Sequence, residues 1–373
     1  MNPEPKRNIG RYDLVTPLIP VKEEILSGVE HLLDTGNFIL GQETTMLEKE
    51  VAAACNAAES VGVASGSAAL YIALQLAGVA PGAEVITTPY TFLATIEAII
   101  RLGGTPVFVD IKPDDLNIDP ARIEAAVTER TRVILPVHIF GAPCAMDEIC
   151  AIAEKHGLDV IEDMCQAFGS YLDGRPCGAF GRMSCLSFYP TKNLPGIGDG
   201  GMIICHKADD AEKVRRLRGH ETVRLDGRLL SGWNSRLDEL QAMVIRIRLS
   251  RLSAEQADRN RAAAIYDDLI PEQNRLAAPR DRGTRFTYHQ YWIRVPERDR
   301  LIGMLKDAGI GYGVYYDPPI HMHELKEYCR IEGDMTEAER AGSEVLALPI
   351  HQSLAEADAA FIGGVVRDFL SAG

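Results

Sequence analysis

The sequence predicts an α/β protein: a mainly parallel sheet covered by helices on both faces, with a smaller α+β region after it. Three observations carry this. Over the first two-thirds of the 373 residues, short apolar runs alternate with stretches of helical periodicity. The apolar runs are continuous rather than alternating, as in strands buried on both faces. Beyond the middle of the chain, two runs follow one another without a helix between them, and the pattern becomes mixed.

Taken in order, SVGVAS (Ser60 to Ser65) reads as a strand, and GSAALYIALQLAG (Gly66 to Gly78) as a helix stopped by Gly78. EVITTP (Glu84 to Pro89) is a strand, TFLATIEAIIRLGG a helix, and TPVFVD (Thr105 to Asp110) a strand. DPARIEAAV opens with Asp119 as N-cap and Pro120 at the first helical position. VILPVH is a strand, AMDEICAIAEKHG a helix and DVIED (Asp159 to Asp163) a strand. SCLSF and GGMIICH (Gly200 to His206) complete seven expected strands, with only a loop between them. A polar helical stretch runs from about Ser235 toward Asp268 as one long helix with a bend, and the domain boundary is expected within it, near residue 250. Residues 1–250 then form a large domain that includes the N-terminal segment, and 251–373 a small one. The small domain is expected to hold strands at YHQYWIRV and GIGYGVYY and helices at ERDRLIGMLKDAG and EADAAFIGGVVRDFL.

Composition narrows the class. The chain is 46% hydrophobic and 25% charged, as globular proteins are, and no apolar run nears the ~20 residues of a membrane span. Its formal net charge of −14 argues against nucleic acid as a partner. The N-terminus, MNPEPKRNIGRYD, lacks an apolar signal core, and the eight cysteines show no CxxC pair. A cytoplasmic protein with free thiols and no metal site is expected.

Ligands of open parallel sheets bind at the carboxyl ends of the strands. There SGSAAL puts Ser65, Gly66 and Ser67 where a strand gives way to a helix, which suits a phosphate but on its own reads more readily as an ordinary N-cap. Asp163 ends a buried strand, where a carboxylate needs a cation or donors; an N-cap role or a protonated ring nitrogen would each answer. Lys192 lies in the loop between SCLSF and GGMIICH, ahead of Gly196, Gly198, Gly200 and Gly201. It reads as a surface lysine or as a desolvated amine able to form a Schiff base. His138, at the end of VILPVH, reads as structural more readily than as a base. A phosphate seat, a ring-nitrogen partner and an imine-forming lysine together describe the needs of pyridoxal 5′-phosphate (PLP).

The chain resembles the DegT/DnrJ/EryC1/StrS family of sugar aminotransferases, which have PLP fold type I. The resemblance runs through SGSAAL, TPYTFLAT, PVFVDI, VHIFG, VIEDMCQAFGS, SFYPTKNLPGIGDGGM, GWNSRLDELQA, YHQYW, VYYDPPIH and LPIHQSL. It implies a seven-stranded sheet, Lys192 as the lysine that bonds to the cofactor and moves the proton, and Asp163 on the pyridinium nitrogen. It implies Gln166 near the ring hydroxyl, Phe92 on the ring face, and Gly66, Ser67 and Ser187 on the phosphate. Asn234 would reach the phosphate of a neighbouring subunit, so that a homodimer shares its active sites, and Tyr316 and His321 would line the sugar pocket. The substrates implied are L-glutamate and a keto sugar linked to a nucleotide, with the cofactor cycling through its amine form (PMP). The wording FYPTKNL followed by GDGG resembles the branch that acts on 3-keto sugars.

The sequence also departs from the family pattern. Ser67 stands for a threonine, Phe168 and Ser170 for smaller or polar residues, and Asp317 for a proline; Pro195 and Ile197 alter the lysine loop. Arg224, Arg228 and Arg236 could meet a diphosphate or simply face solvent or a second subunit. A 4-keto sugar, a keto cyclitol, a dehydratase reaction and a regulatory protein without turnover are the alternatives. The last two sit poorly with a chain that keeps both Lys192 and Asp163.

Overall fold

A computed structural model of the chain describes residues 7–276 and 283–372. Residues 1–6, the start of the stretch without an apolar signal core, lie outside them. The large sheet is built from β1 (Glu59–Val63), β2 (Glu84–Thr87), β3 (Thr105–Phe108), β4 (Thr131–Ile134), β5 (Asp159–Asp163), β6 (Met183–Ser187) and β7 (Gly201–Cys205). Its helices are α1 (Lys22–Thr35), α2 (Gln42–Ala54), α3 (Gly66–Leu76), α4 (Leu93–Arg101), α5 (Pro120–Ala126), α6 (Met146–His156) and α7 (Ala208–Leu217). A hairpin, β8 (Thr222–Leu225) and β9 (Arg228–Ser231), leads to α8 (Glu239–Leu249) and α9 (Leu252–Leu269). Then follow β10 (Tyr291–Arg294), α10 (Arg298–Asp307), β11 (Arg330–Ile331), α11 (Thr336–Glu344), β12 (Val345–Leu348) and α12 (Glu356–Ser371).

All seven expected strands lie in one sheet, which an eighth extends; the order is β1-β7-β6-β5-β4-β2-β3-β11. β7 runs antiparallel to both its neighbours and the other pairings are parallel. The short strand β11 was not legible, because its two residues carry no periodicity and pair only with Val107 and Phe108 of β3. GIGYGVYY does not form a strand. It makes single bridges instead, Ile310 with Ile9 and Gly313 with Ala347, so that its backbone partners change before a ladder can build. The helix expected from Ser235 starts later, where the Asp238 side chain accepts from Gln241 N–H, and it breaks between Leu249 and Leu252.

Alternate residues of each strand enter different cores, as period-2 geometry requires. Ile203 and Cys205 of β7 pack with Leu70, Ile72 and Leu74 of α3, while Met202 and Ile204 pack with Leu47 and Val51 of α2 and Ile245 of α8. Each α3 side chain named here is no more than 1% exposed, and full burial of such a group stabilises by roughly 1.5–3 kcal/mol. The eight cysteines are free thiols, and no described helix is long and apolar enough to cross a membrane.

Candidate active site

The carboxyl ends of β1, β5 and β6 open onto a cavity of about 290 Å³. Gly66, Ser67, Phe92, Asp163, Gln166 and Ser187 line it, and so do Lys192 and Tyr316. Eight of the residues singled out in the sequence therefore meet at one place. Asn234 and His321 do not line it.

One end of the cavity is a helix start. Ser65 caps α3 by accepting from Ala68 N–H at 3.1 Å. The first-turn N–H groups of Gly66 and Ser67 have no acceptor within the helix, and the Ser67 and Ser187 hydroxyls lie beside them. The turn is tight. A Cβ on Gly66 would come 2.8 Å from Ser187 Cβ, and one on Gly201 would come 2.3 Å from the Ser65 carbonyl carbon. Only glycine lets β7 pass this close to the start of α3.

At the other end sits a held carboxylate. Asp163 is 5% exposed. Its Oδ2 accepts from the Thr95 hydroxyl at 2.8 Å and its Oδ1 from Cys165 N–H at 3.2 Å. Its backbone is tied to Pro136 and His138 across the sheet edge. Lys192 follows a turn in which its N–H bonds Tyr189 carbonyl. Burial pulls its ammonium below the ordinary lysine value, against the opposing pull of Cys165 and Asp163. The same burial, with Lys192 and Arg259 nearby, holds His289 far below an ordinary histidine. Its Nδ1 lies 3.1 Å from Asn193 Oδ1, and Asn193 donates in turn to Thr287 carbonyl.

Between these ends lie the flat groups. Phe92 precedes α4 and is 59% exposed, an unusual state for phenylalanine that leaves its ring free toward the cavity. Gln166 accepts from Phe140 N–H at 2.9 Å and donates to the Tyr316 hydroxyl at 3.1 Å. Tyr316 stacks on Phe140 with planes 12° apart. Tyr12 also lines the cavity; its hydroxyl lies 2.9 Å from that of Tyr315 and accepts from Gln290 at 2.8 Å. Sequence reasoning missed Tyr12 and Thr95. Nothing near Tyr12 is periodic, but Thr95 falls within TPYTFLAT, and a hydroxyl at the third position of α4 was a usable signal.

Other singled-out residues go elsewhere. His138 is fully buried outside the cavity: its Nδ1 accepts from Cys144 N–H at 3.0 Å, so its Nε2 carries the proton toward Glu162 Oε2 at 3.1 Å. His321 bonds Glu339 at 3.1 Å. Asn234 is exposed and bridges Gly219. Arg224 is exposed on β8, and Arg228 and Arg236 are half-buried outside the cavity. Asp317 turns from the cavity to Arg298, 2.6 Å away. Pro195 and Ile197 wall a different cavity.

The residues present fit pyridoxal 5′-phosphate. Hydroxyls and free N–H groups at a helix start suit a phosphate, and the held Asp163 carboxylate opposite suits a protonated ring nitrogen. An exposed aromatic face lies between them and a lysine amine, drawn below its ordinary value by burial, beside them. Among the described residues no group of three or more His, Cys, Asp or Glu could hold a metal ion.

Comparison with known proteins agrees. The model of the DegT/DnrJ/EryC1/StrS aminotransferase family matches residues 20–367. The chain is 41% identical to the pleiotropic regulatory protein of Geobacillus stearothermophilus, over 97% of this chain and 98% of that one. It is 39% identical to the UDP-N-acetyl-3-dehydro-α-D-glucosamine 3-aminotransferase of Acidithiobacillus ferrooxidans, over 96% and 97%. Among solved structures, DesV of S. venezuelae in complex with a ketimine intermediate superimposes with a TM-score of 0.90 at 35% identity, covering 97% of this chain and 98% of that one.

Proposed function

The chain belongs to the DegT/DnrJ/EryC1/StrS aminotransferase family, whose members work with PLP, and from that premise we propose that it moves an amino group from L-glutamate to a keto sugar linked to a nucleotide, at C-3 of a hexose. One observation carries the reading. The Lys192 amine and the Asp163 carboxylate share one cavity with the start of α3. A protein that only binds has no use for that pair.

In this reading Gly66, Ser67 and Ser187 hold the cofactor's phosphate, and Phe92 covers its ring. Asp163, fixed by Thr95 and Cys165, keeps a proton on the ring nitrogen. Gln166, fixed by Phe140 and Tyr316, bonds the ring hydroxyl. When bound, PLP supplies an electron sink for a carbanion next to nitrogen. Lys192 does the proton work. Burial leaves more of its Nζ neutral than in water, so it can take the proton from the donor carbon that bears the amine. The same Nζ later delivers a proton to the sugar carbon that receives the amine. Tyr316 stands at the side of the cavity where the sugar enters, and His321 shapes the neighbouring turn.

The protein acts as a homodimer in the cytoplasm. Asn234, exposed and outside its own cavity, serves the phosphate of the partner's site. Exposed apolar side chains on the N-terminal segment, among them Val15, Ile19, Leu33 and Phe38, supply a surface to cover. Eight free thiols suit a reducing compartment. The N-terminal 250 residues act as the cofactor-binding domain and 251–373 as a small domain that closes over it.

The test starts with colour. Purified protein should absorb visible light, and borohydride should fix the cofactor on Lys192, located by peptide mass spectrometry. L-Glutamate should then shift the spectrum to that of the amine form. A panel of UDP- and dTDP-linked 3-keto and 4-keto sugars should reverse the shift, the 3-keto sugars fastest. The Geobacillus relative's name favours a regulatory reading as the alternative. A coloured protein that glutamate and every sugar leave unchanged would support that reading against ours.

A further inference from the structure

A second cavity, also of about 290 Å³, adjoins the first and shares Tyr12, Thr191 and Lys192 with it. Its other walls are the segment from Asp13 to Leu18, the lysine loop at Pro195 to Ile197, α8, α9 and the turn after β12. Three strongly polar side chains line it although each is almost fully buried: Arg248 at 4% exposure, Arg259 at 6% and His351 at 7%.

These groups are not satisfied by the protein alone. Arg248 pairs with Glu255 through Nη2 at 2.8 Å, but its Nε is buried without a partner. Arg259 donates to Ile350 carbonyl at 2.9 Å, Tyr288 carbonyl at 3.3 Å and Gln352 Oε1 at 3.1 Å. All three acceptors are neutral, and among the described residues no carboxylate lies within ion-pair distance of Arg259. Burial pulls its guanidinium down to about 10, as expected of a cation short of a counter-ion. His351 Nδ1 is likewise buried and unpartnered. Asp13 is on the more open side, its Oδ1 accepting from Val15 and Thr16 N–H. This cavity is therefore lined by a buried cation, Arg259, that has no carboxylate within ion-pair distance, and by Arg248 and His351, each of which keeps one buried nitrogen without a partner. That calls for an anion with one negative charge.

We propose that this cavity holds the distal carboxylate of a dicarboxylic amino donor, with Arg259 as its counter-ion and the Arg248 and His351 side chains beside it. The inference rests on the aminotransferase reading above and names what selects its donor. The α-carboxylate is one bond from the reacting carbon and must stay in the first cavity. A group two or three carbons further along the chain can pass Lys192 into the second. A diphosphate, with about twice the charge, would leave one charge uncompensated here.

Two measurements test it. The first is the spectral half-reaction of holoenzyme with L-glutamate and with L-alanine, which has no distal carboxylate. The second is calorimetric binding of glutarate and of UDP, without turnover. Arg259→Lys keeps the charge but loses the fork, and its bonds to Tyr288 and Ile350 put folding at stake. Leu18→Glu, on the half-exposed wall, places a carboxylate at the cavity without touching those bonds. Each variant should raise KM for glutamate by about tenfold to a hundredfold relative to alanine, as loss of a charge-assisted bond does. Each should weaken glutarate binding and leave UDP binding alone. An unchanged glutamate-to-alanine ratio with unchanged glutarate affinity in Leu18→Glu overturns the proposal. So does loss of UDP rather than glutarate binding, which would make this the diphosphate subsite. If wild-type protein transfers no amine from any donor, the aminotransferase reading fails, and glutarate binding still decides this subsite on its own.

Discussion

The two walls of the first cavity are made differently. On one wall, Asp163, Ser187 and the start of α3 sit at the ends of adjacent or nearly adjacent strands of a single sheet. Each is fixed by backbone bonds of its own element, and the reactive groups lie within reach of one another by construction. The other wall is gathered from three distant stretches of chain, around Tyr12, His289 and Tyr316. Isolated backbone bridges such as Ile9 with Ile310 bring them together, and at the cavity itself side chains join them: Tyr12 to Tyr315, Gln290 to Tyr12, and Gln166 to Tyr316. Groups that must hold a geometry to fractions of an ångström are placed on the sheet. Groups that must adapt to a substrate are placed where segments meet.

That division predicts unequal losses. On the sheet wall, Lys192→Ala should lower the glutamate half-reaction by about 10⁴-fold or more, because nucleophile and proton carrier are removed together. Stopped-flow absorbance would read it, and a variant that keeps a tenth of the rate would refute the role. Asp163→Asn keeps the Thr95 bond but not the charge, and should cost about 10²–10³-fold by the same assay. Equal losses from Tyr12→Phe would break the distinction between the walls.

The sheet wall also has a foundation. Glu162, fully buried one residue before Asp163, accepts from Gly178, Phe180 and Gly181 N–H, from the Ser184 hydroxyl and from His138. Burial alone would raise its carboxyl, but the His138 bond and charge and the Gly181 and Gly178 N–H groups outweigh this and hold it below the ordinary value. A depressed carboxyl stabilises the fold above its unfolded pKa, and that contribution is lost as pH falls through the lower folded one. Denaturant titrations should therefore show wild-type stability falling with acid below about pH 4.5. Glu162→Gln should cost about 3–5 kcal/mol at neutral pH and flatten that fall. A variant as stable as wild type would mean that this cluster does not support the site.

Legibility in the sequence follows the same division. The sheet wall could be read because each of its residues lies at the end of a strand with its own apolar run: SVGVAS up to Ser65, DVIED up to Asp163, SCLSF through Ser187. Periodicity located the strands, and the rule that ligands gather at their carboxyl ends located the site. The other wall left little trace. GIGYGVYY reads as a strand, yet its backbone pairs with Ile9 on one side and Ala347 on the other, contacts more than 30 and up to 300 residues distant that no local pattern records. Tyr12 lies in a segment without periodicity. Arg248 and Arg259 look like solvated helix residues, since burial at the junction of α8 and α9 with the turn after β12 depends on tertiary packing alone. His138 shows the opposite case, a suggestive residue at a strand end that the structure satisfies completely with Cys144 and Glu162.

The smallest effect expected is the most discriminating, because it tests the seam between the walls. Tyr316→Phe removes one oxygen and keeps the ring, so the stack on Phe140 survives. What is lost is the acceptor for Gln166 Nε2, a group 6% exposed with no alternative partner in the described structure. An unmet buried donor costs about 1–3 kcal/mol, and Gln166 would shift to reduce that cost. Since Gln166 also fixes Phe140 N–H, the shift would be felt at the cofactor's ring before it reached Lys192. The visible absorption maximum of the bound cofactor should therefore move, with the half-reaction slowed by about threefold to tenfold. If the spectrum stays put while KM for the keto sugar alone rises, Tyr316 touches substrate and not the cofactor's support. The seam would then lie at Gln166, and the second wall would belong to the substrate entirely.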